Sequence, residues 1–442
     1  MLQSQVPAYY SDRRKRLVAK YPGVGFLVPS APETIRNSDV HHPYRQESHF
    51  YYLSGFDEPN SCLLVLPGRT TGESHRFVLF VQERNEAKEI WAGERYGLDR
   101  ARTVFEAHET YPYSQLEQKL PELLKDVDSV YYSFGIHKEI DQVLHRVLEA
   151  QKVLIGRVGR GFLPIFDSGP AIGEMRLRKD ANDLSFLRKA CEITAKGHLA
   201  LMQQVRPGMN EREVQALIDY VFIKEGCERL GYPSIVAGGS NATCLHYTRN
   251  NEILKAEDLL LVDAGGEFGY YTSDITRTFP IGRKFSAAQS DIYEIVLASQ
   301  KKAIHMSKPG TTLLAIHECV IDALIDGLLS LGLLQGSKDQ IIEEKLYTRL
   351  YPHKTSHWLG MDVHDVGLYL ENNRPRALEA GMVFTIEPGL YCQPNDEKLP
   401  SEFRGIGVRI EDDILVTPQG CENLTVMLPR EKKDIEEIRS AI

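Results

Sequence analysis

Four acidic residues stand in or beside apolar, strand-like segments in the C-terminal half of the chain. Asp263 and Asp274 lie in LLLVDAGGEFGYYTSDITRTFPIG, Glu387 lies in MVFTIEPG, and Glu411 lies in GVRIEDDILV. A buried carboxylate is costly unless another group pairs with it. If these segments share one core, the four acids repel each other strongly. Their pattern therefore indicates either buried ion pairs or bound metal.

Each acid taken alone also allows an ordinary structural role. A strand-end aspartate such as Asp263 usually forms a turn and caps its own backbone. Asp274 could pair with Arg277, and Glu411 with Arg409, two positions away on the same strand face. The chemistry is indicated by the group of acids rather than by any one of them.

A histidine-rich segment, YPHKTSHWLGMDVHDVG, separates the two pairs of acids and contains His353, His357 and His364. The spacing of His353 and His357 would suit zinc on a helix, but no Glu follows His353 and Gly360 disfavours a helix. Two divalent ions would neutralise four carboxylates, with a neutral imidazole completing the ligand set. Oxygen-rich ligation with one nitrogen favours manganese or another hard ion over a thiolate-type zinc site. Paired ions about 3.5–4 Å apart activate water as a nucleophile.

The bulk properties limit the classes of protein to which the chain belongs. At 442 residues it exceeds the usual size of one domain, and its net charge of −9 argues against binding of nucleic acid or a membrane surface. The N-terminal residues have no apolar core of the kind that secretory signals carry. Seven scattered cysteines without a CxxC pair are typical of reduced thiols, which predicts a cytoplasmic protein.

The order of predicted elements divides the chain into two domains. GVGFLVPS, FYYLSGF, SCLLVLPG and HRFVLFVQ are predicted strands, and SQLEQKLPELLK is a predicted helix. Breakers at Pro164, Gly169 and Pro170 precede a change of pattern, which predicts domains at residues 1–174 and 175–442. In the second domain a pair of helices followed by strands occurs twice, which indicates two related halves that share one core.

The motifs in both domains resemble those of the aminopeptidase P (Xaa-Pro aminopeptidase) family. The segments that carry this resemblance are VDAGGEFGYYTSDITRTFPIG, HWLGMDVHDVG, FTIEPGLY, GVRIEDD and, in the first domain, PYRQESHFYYLSGFDEPNSCLLVLPG. The resemblance implies an α+β fold. In that fold a pita-bread catalytic domain of two pseudo-related halves follows a smaller α/β domain of the creatinase/prolidase type.

The resemblance also implies a set of metal ligands. In the family pattern Asp263 chelates one metal, and Asp274 and Glu411 bridge two divalent ions, for which manganese is the preferred identity. His357 and Glu387 complete the second metal. Glu387 would also act as the catalytic base.

Further residues match the family's catalytic and substrate-binding positions. His364 would stabilise the tetrahedral intermediate or transfer a proton, and Arg409 would orient the acids around the metals. Trp91, in EIWAGERYG, would shape the substrate site of an oligomer, although it could simply pack in its own domain. The full set of substrate-binding candidates is His246, His353, His364, Arg409, Trp91 and Tyr391.

The implied function is hydrolysis of the bond between an N-terminal residue and a following proline in peptides. The partners are therefore peptides with proline second, and the chain is expected to form a homo-oligomer, a dimer or a tetramer. Prolidase, which cleaves only Xaa-Pro dipeptides, is the nearest alternative. A catalytically inactive pita-bread protein that only binds ligands is a second, but such proteins lose metal ligands and all five are present here. The same observation argues against metal-free creatinase-type relatives.

One position departs from the family pattern. Lys354 stands where a glycine usually follows the first histidine of HxxxH. The simpler interpretation is a solvated side chain, since lysines are mostly exposed. The alternative is a cation close to the carboxyl side of the substrate, which would alter the preference for peptide length.

Overall fold

The computed structural model describes residues 6–158 and 163–441, and the chain divides into two compact units, Met1–Met175 and Arg176–Ile442. Both units combine helices with strands, as the sequence predicts. Among the described residues, no helix has both the length and the apolar character that crossing a bilayer requires.

The N-terminal unit is built on one six-stranded sheet whose strand order is β6-β5-β4-β1-β7-β8. Its strands are Val24–Pro29 (β1), Ile35–Asn37 (β2), Val40–His41 (β3), Cys62–Pro67 (β4), His75–Val81 (β5), Glu109–Pro112 (β6), Ser129–Tyr131 (β7) and Ile165–Phe166 (β8). Its helices are Tyr9–Lys20 (α1), Ser48–Ser54 (α2), Glu86–Ala92 (α3), Gly97–Val104 (α4), Leu116–Leu123 (α5) and Lys138–Val158 (α6), and Ser168–Leu177 (α7) ends just beyond its boundary.

Most of the predicted elements of this unit are confirmed, but one is wrong. The segment FYYLSGF, predicted as a strand, belongs to the helix α2. The Glu47 carboxylate accepts a hydrogen bond from the Phe50 amide at 2.7 Å, which caps the start of this helix. Gly55 ends the helix in the left-handed conformation with φ 69°. These two caps outweigh the strand preference of the aromatic residues.

The C-terminal unit contains two sets of helices followed by strands. Its helices are Ala181–Gln204 (α8), Glu211–Lys224 (α9), Ala287–Met306 (α10), Leu313–Ser330 (α11), Lys338–Glu343 (α12) and Lys432–Ser440 (α13). Its strands are Arg229–Leu230 (β9), Ile235–Gly238 (β10), Leu259–Ala264 (β11), Gly266–Phe268 (β12), Tyr271–Thr272 (β13), Ile275–Pro280 (β14), Leu370–Glu371 (β15), Arg374–Pro375 (β16), Val383–Ile386 (β17), Gly389–Tyr391 (β18), Gly407–Arg409 (β19), Asp412–Thr417 (β20) and Gly420–Asn423 (β21).

Side chains that accept hydrogen bonds from backbone amides begin three of the helices of this unit. Asn210 and Glu213 form a capping box at the start of α9. Ser286 caps α10 through the amide of Gln289, and Thr312 caps α11. The apolar faces of α10 and α11 then pack into one hydrophobic core with the strands of both halves.

The two halves present similar three-stranded antiparallel sheets, β10-β11-β14 and β17-β20-β21. Backbone and side-chain hydrogen bonds join them where β14 runs beside β19. The amide of Glu411 donates to the carbonyl of Thr276 at 3.1 Å, and the amide of Arg409 donates to the Thr278 hydroxyl at 3.2 Å. The two halves are therefore hydrogen-bonded to each other, in agreement with the predicted shared core.

Candidate metal centre

The first pair of acids comes from the antiparallel pairing of β11 and β14. Asp263 lies near the end of β11 opposite Thr276, and Asp274 immediately precedes β14. Gly265 allows the backbone after Asp263 to lie close to the backbone before Asp274, because a Cβ atom there would lie 1.8 Å from the carbonyl oxygen of Ser273. The two aspartates are thereby brought to one end of the sheet.

The second pair comes from the other half. Glu387 follows the last residue of β17, and Glu411 lies in the break between β19 and β20 rather than inside a strand. The carboxylate of Glu411 belongs to the same cluster as that of Asp274. All four acids are almost completely buried or line one cleft.

His357 reaches the acids because its segment runs along β17. The carbonyl of His357 accepts a hydrogen bond from the Thr385 amide at 3.0 Å, and the amide of Glu387 donates to the Thr355 carbonyl at 2.9 Å. The neighbouring Trp358 is fully buried and forms an isolated antiparallel β-bridge with Phe384 of β17. The segment is therefore extended, and the helical interpretation of the HxxxH spacing does not apply.

Three of the predicted ligands form a compact group. One ligand atom each from Asp274, His357 and Glu411 lies within 4.8 Å of the other two. The Nε2 atom of His357 is 3.3 Å from Asp274 and 3.8 Å from a carboxylate oxygen of Glu387. The Nδ1 atom of His357 lies 3.1 Å from the Trp358 carbonyl, a contact that orients the ring with Nε2 toward the acids.

Residues that the sequence did not single out hold these carboxylates in place. The Tyr232 hydroxyl donates to Asp263 at 2.7 Å and also contacts Asp274. The Thr276 hydroxyl donates to Glu411 at 2.7 Å. Tyr232 stands in the short loop between β9 and β10, and no pattern in the sequence signals its contact with acids far along the chain.

Arg409 is ion-paired with Asp263, across the two halves. Its Nη2 atom lies 2.7 Å from Oδ2 of Asp263, its Nε donates to the Thr276 hydroxyl at 3.1 Å, and its Nη1 donates to the Tyr391 hydroxyl at 3.1 Å. The alternative pairing of Arg409 with Glu411 is therefore wrong. Asp263 also does not act as a turn former, because its side chain is bonded to distant residues.

The second alternative pairing, of Asp274 with Arg277, is also wrong. Arg277 is fully buried and its Nη2 atom lies 2.7 Å from Asp412. It faces the interior behind the cleft, so it does not neutralise Asp274. Arg409 and the imidazoles of His353 and His357 therefore remain beside the four acids.

The electrostatic consequence is a large perturbation of the carboxyl pKa values. Burial raises the pKa of Glu387 to about 7 against the opposing charges of His357 and Arg409. Burial and then the charges of Asp274 and Glu387 raise the pKa of Glu411 well above its usual value. A site with this excess of buried acid is chemically suited to divalent cations.

The pKa values of the two aspartates are shifted in opposite directions. Burial raises the pKa of Asp263, with Arg409 opposing it. Burial alone would raise the pKa of Asp274, but the hydrogen bond and charge of His357 lower it. The imidazole of His357 shows the matching shift. Burial lowers its pKa, but the hydrogen bond and charge of Asp274 outweigh burial and raise the pKa to about 9.

The predicted substrate-binding residues of this unit line one cavity of about 270 Å³. His353 lies with Nε2 2.8 Å from the Tyr391 hydroxyl, and its Nδ1 is 3.7 Å from Glu387. His364 is exposed, with its ring 4.5 Å from that of His357. The other predicted residues of the lining are His246, Asp263, His357, Glu387, Tyr391 and Arg409.

The position of His364 depends on a buried ion-pair network next to it. Asp365 is 2.5 Å from Arg176 and 3.0 Å from Lys179, and all three side chains are almost completely buried. The Asp365 amide also donates to the Trp358 carbonyl at 2.9 Å. This network anchors the backbone beside His364 while its ring stays exposed at the cleft.

Trp91 lies in the N-terminal unit, on α3, and is 90% exposed. Its neighbour Ile90 is 82% exposed. Trp91 therefore does not pack in the interior of its own unit, which was the simpler interpretation of this residue.

Comparison with known proteins agrees with this fold. Residues 185–418 match Metallopeptidase family M24, and residues 10–131 match the N-terminal domain of aminopeptidase P. The chain belongs to metallopeptidase family M24. The resemblance noted in the sequence is thereby confirmed, as is the fold class of a pita-bread domain preceded by a smaller α/β domain.

Individual relatives match over nearly the whole chain. The Xaa-Pro aminopeptidase of Haemophilus influenzae is 40% identical over 97% of this chain and 96% of its own. The Xaa-Pro aminopeptidase of Escherichia coli is 39% identical over 98% of this chain and 97% of its own. The solved structure of Pseudomonas aeruginosa aminopeptidase PepP superposes with a TM-score of 0.94 at 40% identity and covers 99% of both chains.

Proposed function

We propose that this chain is an aminopeptidase that hydrolyses the bond between an N-terminal residue and a following proline, using two divalent metal ions. The observation that carries the proposal is the convergence of acids from both halves with one imidazole, which includes the cluster of Asp274, His357 and Glu411 within 4.8 Å. The similarity to two Xaa-Pro aminopeptidases at 39–40% identity supports the choice of substrate.

The donor set fits a pair of divalent ions. Four carboxylates lie near Arg409 and the imidazoles of His353 and His357, and the arginine is already bonded to Asp263 at 2.7 Å. Oxygen donors with a single imidazole suit manganese better than a thiolate site would. The residues that would hold the ions are Asp263, Asp274, His357, Glu387 and Glu411. When bound, the ions would polarise the scissile carbonyl and ease deprotonation of the attacking water.

Glu387 would accept the proton of that water. Its partly exposed carboxylate lies at the edge of the cleft, and His357 and His353 lie within 4 Å of it. A base in this position can then return the proton to the leaving nitrogen of the proline. Glu387 would serve in this way as both ligand and base.

His364 would bind the oxygen of the scissile carbonyl as negative charge develops on it. The ring is exposed toward the cleft and packs at 79° against the ring of His357. Asp365 anchors the adjoining backbone, so the imidazole is oriented before the substrate arrives. In this proposal His364 is therefore a catalytic residue and not a metal ligand.

The other residues of the cavity would hold the peptide. His246 is exposed at the cavity wall, and His353 is tied to Tyr391, which receives a further hydrogen bond from Arg409. Burial lowers the pKa of His353 to about 3, so this imidazole is neutral and can donate or accept hydrogen bonds without adding charge. The hydrogen-bonded row from Arg409 to His353 would give the substrate a rigid wall.

We also propose an oligomeric state, a location and domain bounds for the whole protein. The exposed Trp91 and Ile90 support a homo-oligomer, a dimer or a tetramer, because large exposed apolar side chains commonly mark contact surfaces. The free state of all seven cysteines supports a cytoplasmic location. We further propose residues 1–174 and 175–442 as the two domains, with the five ligands in the second.

The test combines metal analysis of the purified protein with cleavage of Ala-Pro-Ala, Ala-Pro and Met-Ala-Ser. We expect two divalent ions per chain and release of alanine from Ala-Pro-Ala, with little cleavage of Ala-Pro and Met-Ala-Ser. Strong preference for Ala-Pro would replace this proposal with a prolidase. Absence of hydrolysis by protein that binds both metals and peptide would favour the inactive binding protein.

A further inference from the structure

Two cavities of the C-terminal unit meet at the segment that carries His357. The first, of about 270 Å³, contains the acids of the candidate metal centre. The second, of about 560 Å³, is mainly apolar, with walls formed by Leu313, Leu314, Trp358, Tyr369, Leu370 and Pro375. Lys354, Ser356, His357 and His364 line both cavities. Lys354 therefore lies where the two cavities adjoin.

The charge of Lys354 is available for a ligand. Its side chain is exposed and makes no ion pair with any residue that the structure describes. The other cations of the two cavities are already paired with acids. Arg409 is 2.7 Å from Asp263, and Arg376 is 3.7 Å from Glu379. His357, whose pKa is raised, is 3.3 Å from Asp274. Lys354 thus presents an uncompensated positive charge at the junction.

The wall next to Lys354 is neutral. His317 lines the apolar cavity and its Nδ1 atom lies 2.8 Å from the Thr355 hydroxyl. Burial, and then the charge of Lys354, lower the pKa of His317 to about 4, so its ring is uncharged at neutral pH. An anion at the junction would meet one cation and a wall that does not compete for it.

We propose that Lys354 binds a carboxylate of the peptide substrate and that the apolar cavity takes the neighbouring side chain of the same residue. This inference rests on the proposed aminopeptidase function. The scissile bond must lie beside the candidate metal centre, so the residues after proline extend away from it along the cleft. A carboxylate on those residues is favoured at the cation. The residue after proline carries both a carboxylate and a side chain on one α-carbon when it is the last in a tripeptide.

The substrate class that follows is short peptides in which an apolar residue follows proline and ends the chain. A glutamate side chain at the third position would supply the same carboxylate chemistry from a different source. These two sources are distinguishable, because amidation removes the terminal carboxylate and leaves the side chain intact.

The first experiment compares kcat and KM of the wild type, Lys354→Met and Lys308→Met. Lys308 is an exposed lysine that lines neither cavity, which makes it a matched control. We expect the wild type to prefer Ala-Pro-Leu over its C-terminal amide by about 3- to 10-fold, mainly through KM, as expected for one partly exposed charged contact. Lys354→Met should abolish this preference, and Lys308→Met should keep it.

The source of the carboxylate is tested with Ala-Pro-Glu-amide and Ala-Pro-Gln-amide. A preference for the glutamate peptide that disappears in Lys354→Met supports the side-chain source. A preference only for free Ala-Pro-Leu supports the terminal source. Equal kinetics for all four peptides, or preferences that survive in Lys354→Met, would overturn the role of Lys354.

A binding measurement separates this inference from the proposed function. Calorimetry of the metal-loaded protein with Pro-Leu, Pro-Leu-amide and Pro-Gly requires no turnover. We expect Pro-Leu to bind roughly 3- to 10-fold more tightly than Pro-Gly and than its amide, the latter difference only while Lys354 is present. Failure to cleave any Xaa-Pro peptide would reject the aminopeptidase. Equal binding of Pro-Leu and its amide, together with equal kinetics of Ala-Pro-Glu-amide and Ala-Pro-Gln-amide, would reject the inference about Lys354.

Discussion

Glu411 and Asp412 are neighbours in the sequence and are equally buried, yet they belong to two different environments. Asp412 lies 2.7 Å from Arg277 and 2.5 Å from Arg430 and accepts a further bond from Thr425. Glu411 accepts one hydrogen bond from Thr276 and shares its surroundings with three other acids. The first environment is a balanced ion-pair core, and the second is an acidic cluster with too few cations.

The pKa values of the two residues show the same contrast. Burial would raise the pKa of Asp412, but the charges of Arg277 and Arg430 lower it. For Glu411, burial and neighbouring acids together raise the pKa. Burial of a carboxylate is therefore no sign of function by itself. The sign is a group of buried acids whose charge the protein does not balance.

The largest expected effect comes from variants within the acidic cluster. Glu387→Gln removes a ligand charge and the base, so both metal content and rate should fall. His364→Ala removes a hydrogen-bond donor but no ligand, so metal content should stay while the rate falls by roughly 10²–10⁴. Bound metal and kcat are measured for both, with the exposed His305→Ala as a control that should match the wild type. Loss of metal in His364→Ala equal to that in Glu387→Gln would make His364 a ligand.

The balanced core should respond in stability rather than in metal content. Asp412→Asn leaves Arg277 buried beside a neutral amide, and breaking a buried pair in this way costs about 3–5 kcal/mol. The loss should be the same with and without metal, because no ligand has changed. Urea unfolding of the full chain in chelator and in excess manganese measures it. A loss seen only in the metal-loaded protein would place Asp412 in the metal site instead.

Removal of metal should lower the stability of the wild type by a comparable amount. Ions present at 100 to 1,000 times their dissociation constant stabilise the folded state by roughly 3–4 kcal/mol, because they bind the folded protein alone. Melting temperatures with manganese and after chelation provide the measurement. A protein shown by elemental analysis to be metal-free, yet with the same melting temperature and full peptidase activity, would contradict the metal assignment.

The smallest effect, of opposite sign, is expected for Glu411→Gln in the metal-free protein. Removing one of four neighbouring acids relieves repulsion, and the amide can keep the bond from Thr276, so stability should rise by roughly 1 kcal/mol. The variant should also lose the melting shift with manganese. Destabilisation as large as that of Asp412→Asn would show that Glu411 is a structural acid, and the contrast between the two residues would fail.

Much of the local structure was predictable from the sequence because it depends on neighbouring residues. The capping box of Asn210 and Glu213 and the cap at Ser286 are read from residues three apart. The apolar strands Cys62–Pro67 and Leu259–Ala264 follow from continuous hydrophobic runs. The helix Ser48–Ser54 was missed because its aromatic residues favour strands and its caps are less conspicuous than that preference.

The sequence by itself predicted which residues would carry the chemistry: acids in apolar strands, two in each half, with His357 between the two pairs. Only the tertiary structure decided how the charges are shared. Arg409 pairs with Asp263 and Arg277 with Asp412, although each arginine stands closer in sequence to another acid. Pairing depends on which strands lie side by side after the halves pack, so a distant partner at 2.7 Å outweighs a neighbour along the chain.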